Sequence, residues 1–169
     1  IIANNLPVPT HIFLQAGVGS MAGAVLGWYA NEYKEKLPKT IIVEPKAADC
    51  IYQSALQATG EPVNVGGELS TIMAGLACGE PNPITWQILR DFGHAYVSCP
   101  DFVTVEGMKV LAHPIADDKK VISGESGAVG LGLLSLIMKH KELSDIKDLL
   151  GINENSVVLF FSTEGDTDP

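Results

Sequence analysis

Five consecutive residues, Gly17, Val18, Gly19, Ser20 and Met21, separate a short apolar run from a long one. The short run, residues 11–15, has the length of a strand, the two glycines permit a sharp turn, and residues 21–33 carry the apolar pattern of a packed helix. The first amides of a helix lack internal partners and stand at the positive end of its dipole. A phosphate placed against this turn would satisfy both. A turn whose glycines serve only close packing would read the same way, because Gly-x-Gly alone names no ligand.

In a parallel sheet, ligands collect beyond the carboxyl ends of the strands. Three further polar sequences suit such positions: Glu44-Pro45, Gly124-Glu125-Ser126-Gly127 and Ser162-Thr163-Glu164-Gly165-Asp166. Two chemistries fit. In the first, Gly17-x-Gly19-x-x-Ala22 is a loose dinucleotide fingerprint and Glu44 binds a ribose hydroxyl, as in an NAD(P)-binding oxidoreductase domain. That reading leaves residues 162–166 without a role. In the second, the ligand is pyridoxal 5'-phosphate, which needs a phosphate cradle, a partner for its pyridine nitrogen and a Schiff-base lysine. The first two have candidates. The lysines at 34, 36, 39, 119, 120, 139, 141 and 147 sit in polar or helix-surface contexts, and Lys46 and Lys109 are little better placed.

These residues must be held by a fold, and the pattern predicts a three-layer αβα domain with a mostly parallel sheet, one domain over residues 1–169. Strands are predicted at 11–15, 40–43, 95–98 and 156–161. Helices are predicted at 21–35, 46–59, 70–77, 84–92, 102–111, 128–140 and 143–150. Asn82 or Thr85 is expected to cap the fourth of these and Asp101 the fifth. Gly130 and Gly132 suggest close contact between helix and sheet.

The 46% hydrophobic content and length of 169 residues support a substantial core. Eleven basic residues against twenty acidic, a formal charge of −9, argue against a nucleic-acid partner. No apolar run has the length of a membrane span and no signal peptide is evident, so a cytoplasmic location is expected. Ile1-Ile2 opens without an initiator methionine and Thr167-Asp168-Pro169 stops just after a strand, so a piece of a longer chain is expected. Cys50, Cys78 and Cys99 form no CxxC pattern and are read as reduced, with a Cys50–Cys78 bridge as the alternative.

The order of Gly17-Val18-Gly19-Ser20, Val43-Glu44-Pro45, Glu125-Ser126-Gly127-Ala128 and Ser162-Thr163-Glu164-Gly165-Asp166 resembles fold type II pyridoxal-phosphate enzymes, the tryptophan synthase β-like group. More narrowly, residues 15–23, 48–52, 72–83 and 162–168 resemble the diaminopropionate ammonia-lyase family across nearly the whole chain. The resemblance implies pyridoxal phosphate held through the backbone amides of Gly17, Val18, Gly19, Ser20 and Met21. It implies Ser162, or failing it Thr163, at the pyridine nitrogen, and Glu125 near the ring. The implied reaction is α,β-elimination of a small amino acid, 2,3-diaminopropionate, to pyruvate and ammonia by a homodimer, a serine or threonine dehydratase-like lyase being the neighbouring alternative. The Schiff-base lysine and the acids expected to help proton transfer would lie upstream of residue 1, so this chain alone is expected to be inactive. Residues 79–83 would form a wall of the site.

Overall fold

The computed structural model describes residues 6–165; the sequence expectations resting on Ile1-Ile2 and on Asp166, Thr167, Asp168 and Pro169 lie outside them. Four strands form one parallel sheet: β1 (His11–Gln15), β2 (Lys39–Pro45), β3 (Ala95–Cys99) and β4 (Val158–Phe160). Their order across the sheet is β3-β2-β1-β4. All three pairings are parallel, with Ile12 opposite Thr40 and Leu159, and Ile42 opposite Tyr96. All of β1 is buried, which explains its unbroken apolar run: a strand covered on both faces has no polar side to alternate with.

The side chains of β1 and β2 divide into two cores. On one face Ile12, Leu14 and Ile42 pack with α1 (Ser20–Tyr33), α2 (Cys50–Gln57) and α3 (Pro83–Phe92), through Leu26, Ile51 and Leu89. On the other, Phe13, Ile41 and Val43 pack with α4 (Phe102–Ala112), α5 (Glu125–Lys139) and α6 (Ser144–Leu150), through Val103, Leu133 and Leu150. This is the expected three-layer αβα arrangement. Each fully buried side chain of this kind contributes about 1.5–3 kcal/mol.

Several boundaries differ from the sequence expectation. The second predicted helix starts at Cys50 rather than residue 46, because Glu44 reaches past the intervening turn: its carboxylate accepts the amides of Ile51 at 2.9 Å and Tyr52 at 2.6 Å. Residues 70–77 form only a 3-10 turn, Ala74–Leu76. Asn82 is the cap of α3, accepting the amides of Ile84 and Thr85. Asp101 stands at the start of α4 but does not cap it; its carboxylate takes the Thr71 hydroxyl at 2.5 Å and the Ile72 amide at 3.2 Å. The structure begins α5 at Glu125, one turn before the predicted start. Of its two glycines, Gly130 faces Phe13 and Phe160 on the sheet as expected, whereas Gly132 meets the backbone of α4. The three cysteines are unbonded, and burial pushes the thiols of Cys50 and Cys99 up to about 12.

Helices α4 and α5 lie so close that a Cβ on Gly107 would collide with the Ala128 carbonyl, and one on Gly132 with the Val103 carbonyl. Gly107→Ala is expected to lower unfolding free energy by about 1–3 kcal/mol, while Gly66→Ala, where a Cβ meets open space, changes it by less than about 0.5 kcal/mol. Urea unfolding midpoints compare the two. Glu44 supplies a second expectation. Burial raises its carboxyl from 4.5 to about 8, with Asp49 adding to the rise and the two amide donors opposing it. Between those values the native state binds more protons than the unfolded chain, so this group's stabilisation is full below about pH 4.5 and declines as pH rises towards 8. Glu44→Gln should remove that decline, measured as the difference between wild-type and variant unfolding free energies from pH 5 to 8.5.

Candidate active site

Strand order reverses at β1: the chain proceeds from β1 outward through β2 to β3, then returns to place β4 on the other side of β1. Such a reversal opens a crevice at the carboxyl ends of the two strands. The crevice is present as a pocket of about 240 Å³. Gln15, the turn at residues 17–21, Gly75, Cys78, Ser126 and Thr163 contribute to its lining.

The turn forms because Gly19 adopts φ +86°, a left-handed conformation that side chains disfavour, with Leu89 and Ile51 filling the space where a Cβ would lie. Helix α1 starts at the next residue with no side-chain cap. Among the described residues, none of the amides of residues 17–21 donates to a backbone carbonyl. The turn is braced from behind: the Asn82 amide donates to the Val18 carbonyl at 2.7 Å, and the Asn82 side chain donates to the Ser20 hydroxyl at 3.0 Å.

The opposite wall comes from α5 and the segment after β4. Glu164 Oε2 accepts the Ser126 amide at 2.9 Å, so a carboxylate occupies the start of α5 just as Glu44 occupies that of α2. A Cβ on Gly127 would lie 3.1 Å from the Thr163 amide, which shows how closely α5 approaches this segment. The Ser126 hydroxyl lines the pocket, is buried, and has no hydrogen-bond partner among the described residues. A buried hydroxyl without a partner is costly, and a polar ligand in this pocket would satisfy it. The amides, this hydroxyl and the Thr163 hydroxyl together suit a ligand that carries a phosphate at one end and a polar ring atom at the other.

The sequence-predicted residues do not all converge here. Gly17, Val18, Gly19, Ser20, Met21 and Thr163 line the pocket; Glu125 and Ser162 do not. One helical residue turns the direction by about 100°, so α5 presents Ser126 to the pocket and Glu125 to a separate hollow beside Ile72, Lys109 and His113. The Ser162 hydroxyl donates instead to Ser123 Oγ at 2.9 Å. Gln15, Ser126 and Glu164 take part without having been singled out; the only sequence signal was their position beside the residues that were. Glu80 is exposed and outside the pocket, whose third wall is made by Gly75, Leu76 and Cys78. Glu44 is fully buried and committed to α2, which overturns the dinucleotide reading: no carboxylate is available there for a ribose.

The chain is 53% identical over 160 residues to the diaminopropionate ammonia-lyase of Escherichia coli strain K12, covering 95% of this chain and 40% of that protein. It is 48% identical over 166 residues to that of Salmonella typhimurium, covering 98% and 41%. The fold superposes with a TM-score of 0.90 and 48% identity on a crystal structure of the E. coli enzyme in complex with an aminoacrylate-PLP azomethine reaction intermediate, covering 99% of this chain and 42% of that one. The chain thus spans about 40% of the length of the relatives it matches. The family of pyridoxal-phosphate dependent enzymes matches residues 2–159, nearly the whole of the sequence, and with the three-layer parallel fold and the crevice at its strand reversal, the chain belongs to that family.

Proposed function

We propose that this chain is the cofactor-cradling part of a longer pyridoxal-phosphate enzyme that eliminates the β-amino group of 2,3-diaminopropionate, giving pyruvate and ammonia. The observation that carries this reading is the pocket in which the unpaired amides of residues 17–21 share one crevice with the buried, unpartnered Ser126 hydroxyl. Identity of about half to diaminopropionate ammonia-lyases, over 95% and 98% of this chain, supports the choice of substrate.

The backbone amides of Gly17, Val18, Gly19, Ser20 and Met21 would hold the cofactor phosphate, with the dipole of α1 behind them. Thr163 would face the pyridine nitrogen, and Ser126 would give its hydroxyl to a polar atom of the ligand. Ala16, Ala22 and Leu76 add apolar surface that keeps water from the ring. Bound pyridoxal phosphate supplies an electron sink for the charge left at Cα when its proton is removed. Binding and orientation are the tasks of this chain. Among the described residues no lysine lines the pocket, and the Schiff-base lysine and the groups that move protons are assigned to the remainder of the longer protein.

That longer protein is proposed to be a cytoplasmic homodimer acting on a small amino acid. Among the described residues no helix is long and apolar enough to cross a membrane. An apolar groove of about 510 Å³, between Val25 and Trp28 of α1 and Leu159 and Phe161 at the edge of the sheet, supports burial of this face against further protein.

The longer protein, assayed for pyruvate release from 2,3-diaminopropionate, serine and threonine, is expected to prefer diaminopropionate, and the chain alone to release none. Preference for serine or threonine would leave only the broader reading as a fold type II lyase. Gly19→Ala, which strains a φ of +86° and brings a Cβ to 2.8 Å from Leu89 Cδ1, should weaken pyridoxal phosphate binding at least about tenfold, read by fluorescence titration. Ser126→Ala should act with opposite signs in two measurements: it removes an unpartnered buried hydroxyl, raising ligand-free stability by roughly 1 kcal/mol, yet loosens the bound cofactor.

A further inference from the structure

Asp101 stands at the start of α4, outside the crevice, and its carboxylate faces the stretch that builds the third wall. Oδ1 accepts the Thr71 hydroxyl at 2.5 Å and Oδ2 accepts the Ile72 amide at 3.2 Å. Among the described residues, these are the two hydrogen bonds that tie residues 66–78 to other parts of the chain. The remaining bonds of the stretch are local, such as the Leu76 amide to the Met73 carbonyl at 2.8 Å and the Cys78 amide to the Leu76 carbonyl at 2.7 Å. Thr71 carries the clasp inward. The Met73 amide donates to the Thr71 hydroxyl oxygen at 3.2 Å, and since an amide N–H can only donate, the Thr71 proton is left for Asp101. The 3-10 turn Ala74–Leu76 starts from Met73, so the chain of bonds runs from a carboxylate on α4 to the turn that presents Gly75 and Leu76 to the crevice.

That turn touches both other walls. A Cβ on Gly75 would stand 3.0 Å from Ser126 Oγ and 3.1 Å from Glu164 Oε1, and one on Gly17 would stand 3.3 Å from Leu76 Cα. The base of the clasp is firm, because α4 meets α5 backbone to backbone at Gly107 and Gly132, and α5 carries Ser126. We propose that Asp101 is a positioning residue for substrate: by holding residues 71–76 on α4 it fixes the width of the crevice, and so how tightly a small amino acid fits beside the cofactor. This inference rests on the pyridoxal-phosphate reading of the site and deepens it. Met73 and Leu76 are also buried in the core, but apolar burial is non-directional; it keeps the stretch near the sheet without setting its place along the crevice. The direction comes from two bonds to one carboxylate. Asp101 lies outside the lining of the crevice, so its loss acts on fit and binding rather than on proton transfer.

The test uses the full-length holoenzyme that carries this segment, with Asp101→Asn, Thr71→Val and the double variant. A carboxamide offers one oxygen where a carboxylate offers two, so Asp101→Asn leaves one of the two donors facing an NH2. Thr71→Val keeps the branched shape and removes the hydroxyl. Each single variant is expected to raise KM for 2,3-diaminopropionate about tenfold with kcat within about twofold, and to speed amide hydrogen exchange across residues 71–78 while α5 stays protected. The double variant should match Asp101→Asn, because both substitutions cut one chain of bonds. Thr71→Ser, which keeps the hydroxyl, should retain the wild-type KM. A merely structural role for Asp101 would lower thermal stability and leave the KM of the folded holoenzyme unmoved; that result overturns the proposal, as does a loss of kcat at unchanged KM or full additivity in the double variant. Should Asp101→Asn fail to fold, Thr71→Val carries the same test, since it leaves the carboxylate and its bond to Ile72 in place. A wild type that neither binds pyridoxal phosphate nor turns over diaminopropionate overturns the reading of the pocket, and the role of Asp101 with it; an active wild type with unmoved KM in the variants overturns the role of Asp101 alone.

Discussion

The parallel pairing of β1 with β4 is the constraint on which the rest of the site depends. Three residue pairs register the two strands among the described residues, His11 with Val158, Ile12 with Leu159 and Phe13 with Phe160. They place the polar residues that follow β4 beside the glycine turn that follows β1. Without that register Gln15 has neither Phe161 nor Thr163 to bind. The reversal of strand order is therefore the origin of the crevice, and the glycine turn is one of its two walls.

Electrostatics refines this geometry. A chain with a formal charge of −9 is a poor long-range attractor of anions, so a phosphate proposed to bind in the crevice would have to be held by local dipoles. Two buried or half-buried acidic side chains are turned to internal tasks: Glu44 accepts the first amides of α2 and Glu164 the Ser126 amide of α5. At α1 no side chain does this. Acidic residues thus occupy neighbouring helix starts and leave the start of α1 to an anion from outside.

The layered fold, the parallel sheet and the glycine turn were legible in the sequence because each has a local signature: apolar runs of strand length, helical spacing and Gly-x-Gly between them. The site's far wall was legible only to the nearest residue. Residues 125–127 and 162–164 were in the right places, but which of each group faces the crevice depends on helix phase and on how α5 abuts the strand end. A one-residue difference, Ser126 for Glu125 and Thr163 for Ser162, decides it. The Asp101 and Glu44 carboxylates had a similar fate. Their types suggested a cap and a ribose ligand, and other partners claimed them: Thr71, thirty positions away, for Asp101, and the amides at the start of the next helix for Glu44.

The bond from Gln15 to the Phe161 carbonyl spans 146 positions of sequence. At a synthesis rate of 5–20 residues per second, the glycine turn waits about 7–30 seconds for the wall that completes it. During that interval the β4-facing edge of β1 lacks its partner, an arrangement that invites wrong pairing. Joining residues so far apart in sequence carries a loop-closure cost that slows the pairing of this edge. The cradle's chemistry is encoded near the start of this sequence, and its timing is set near the end.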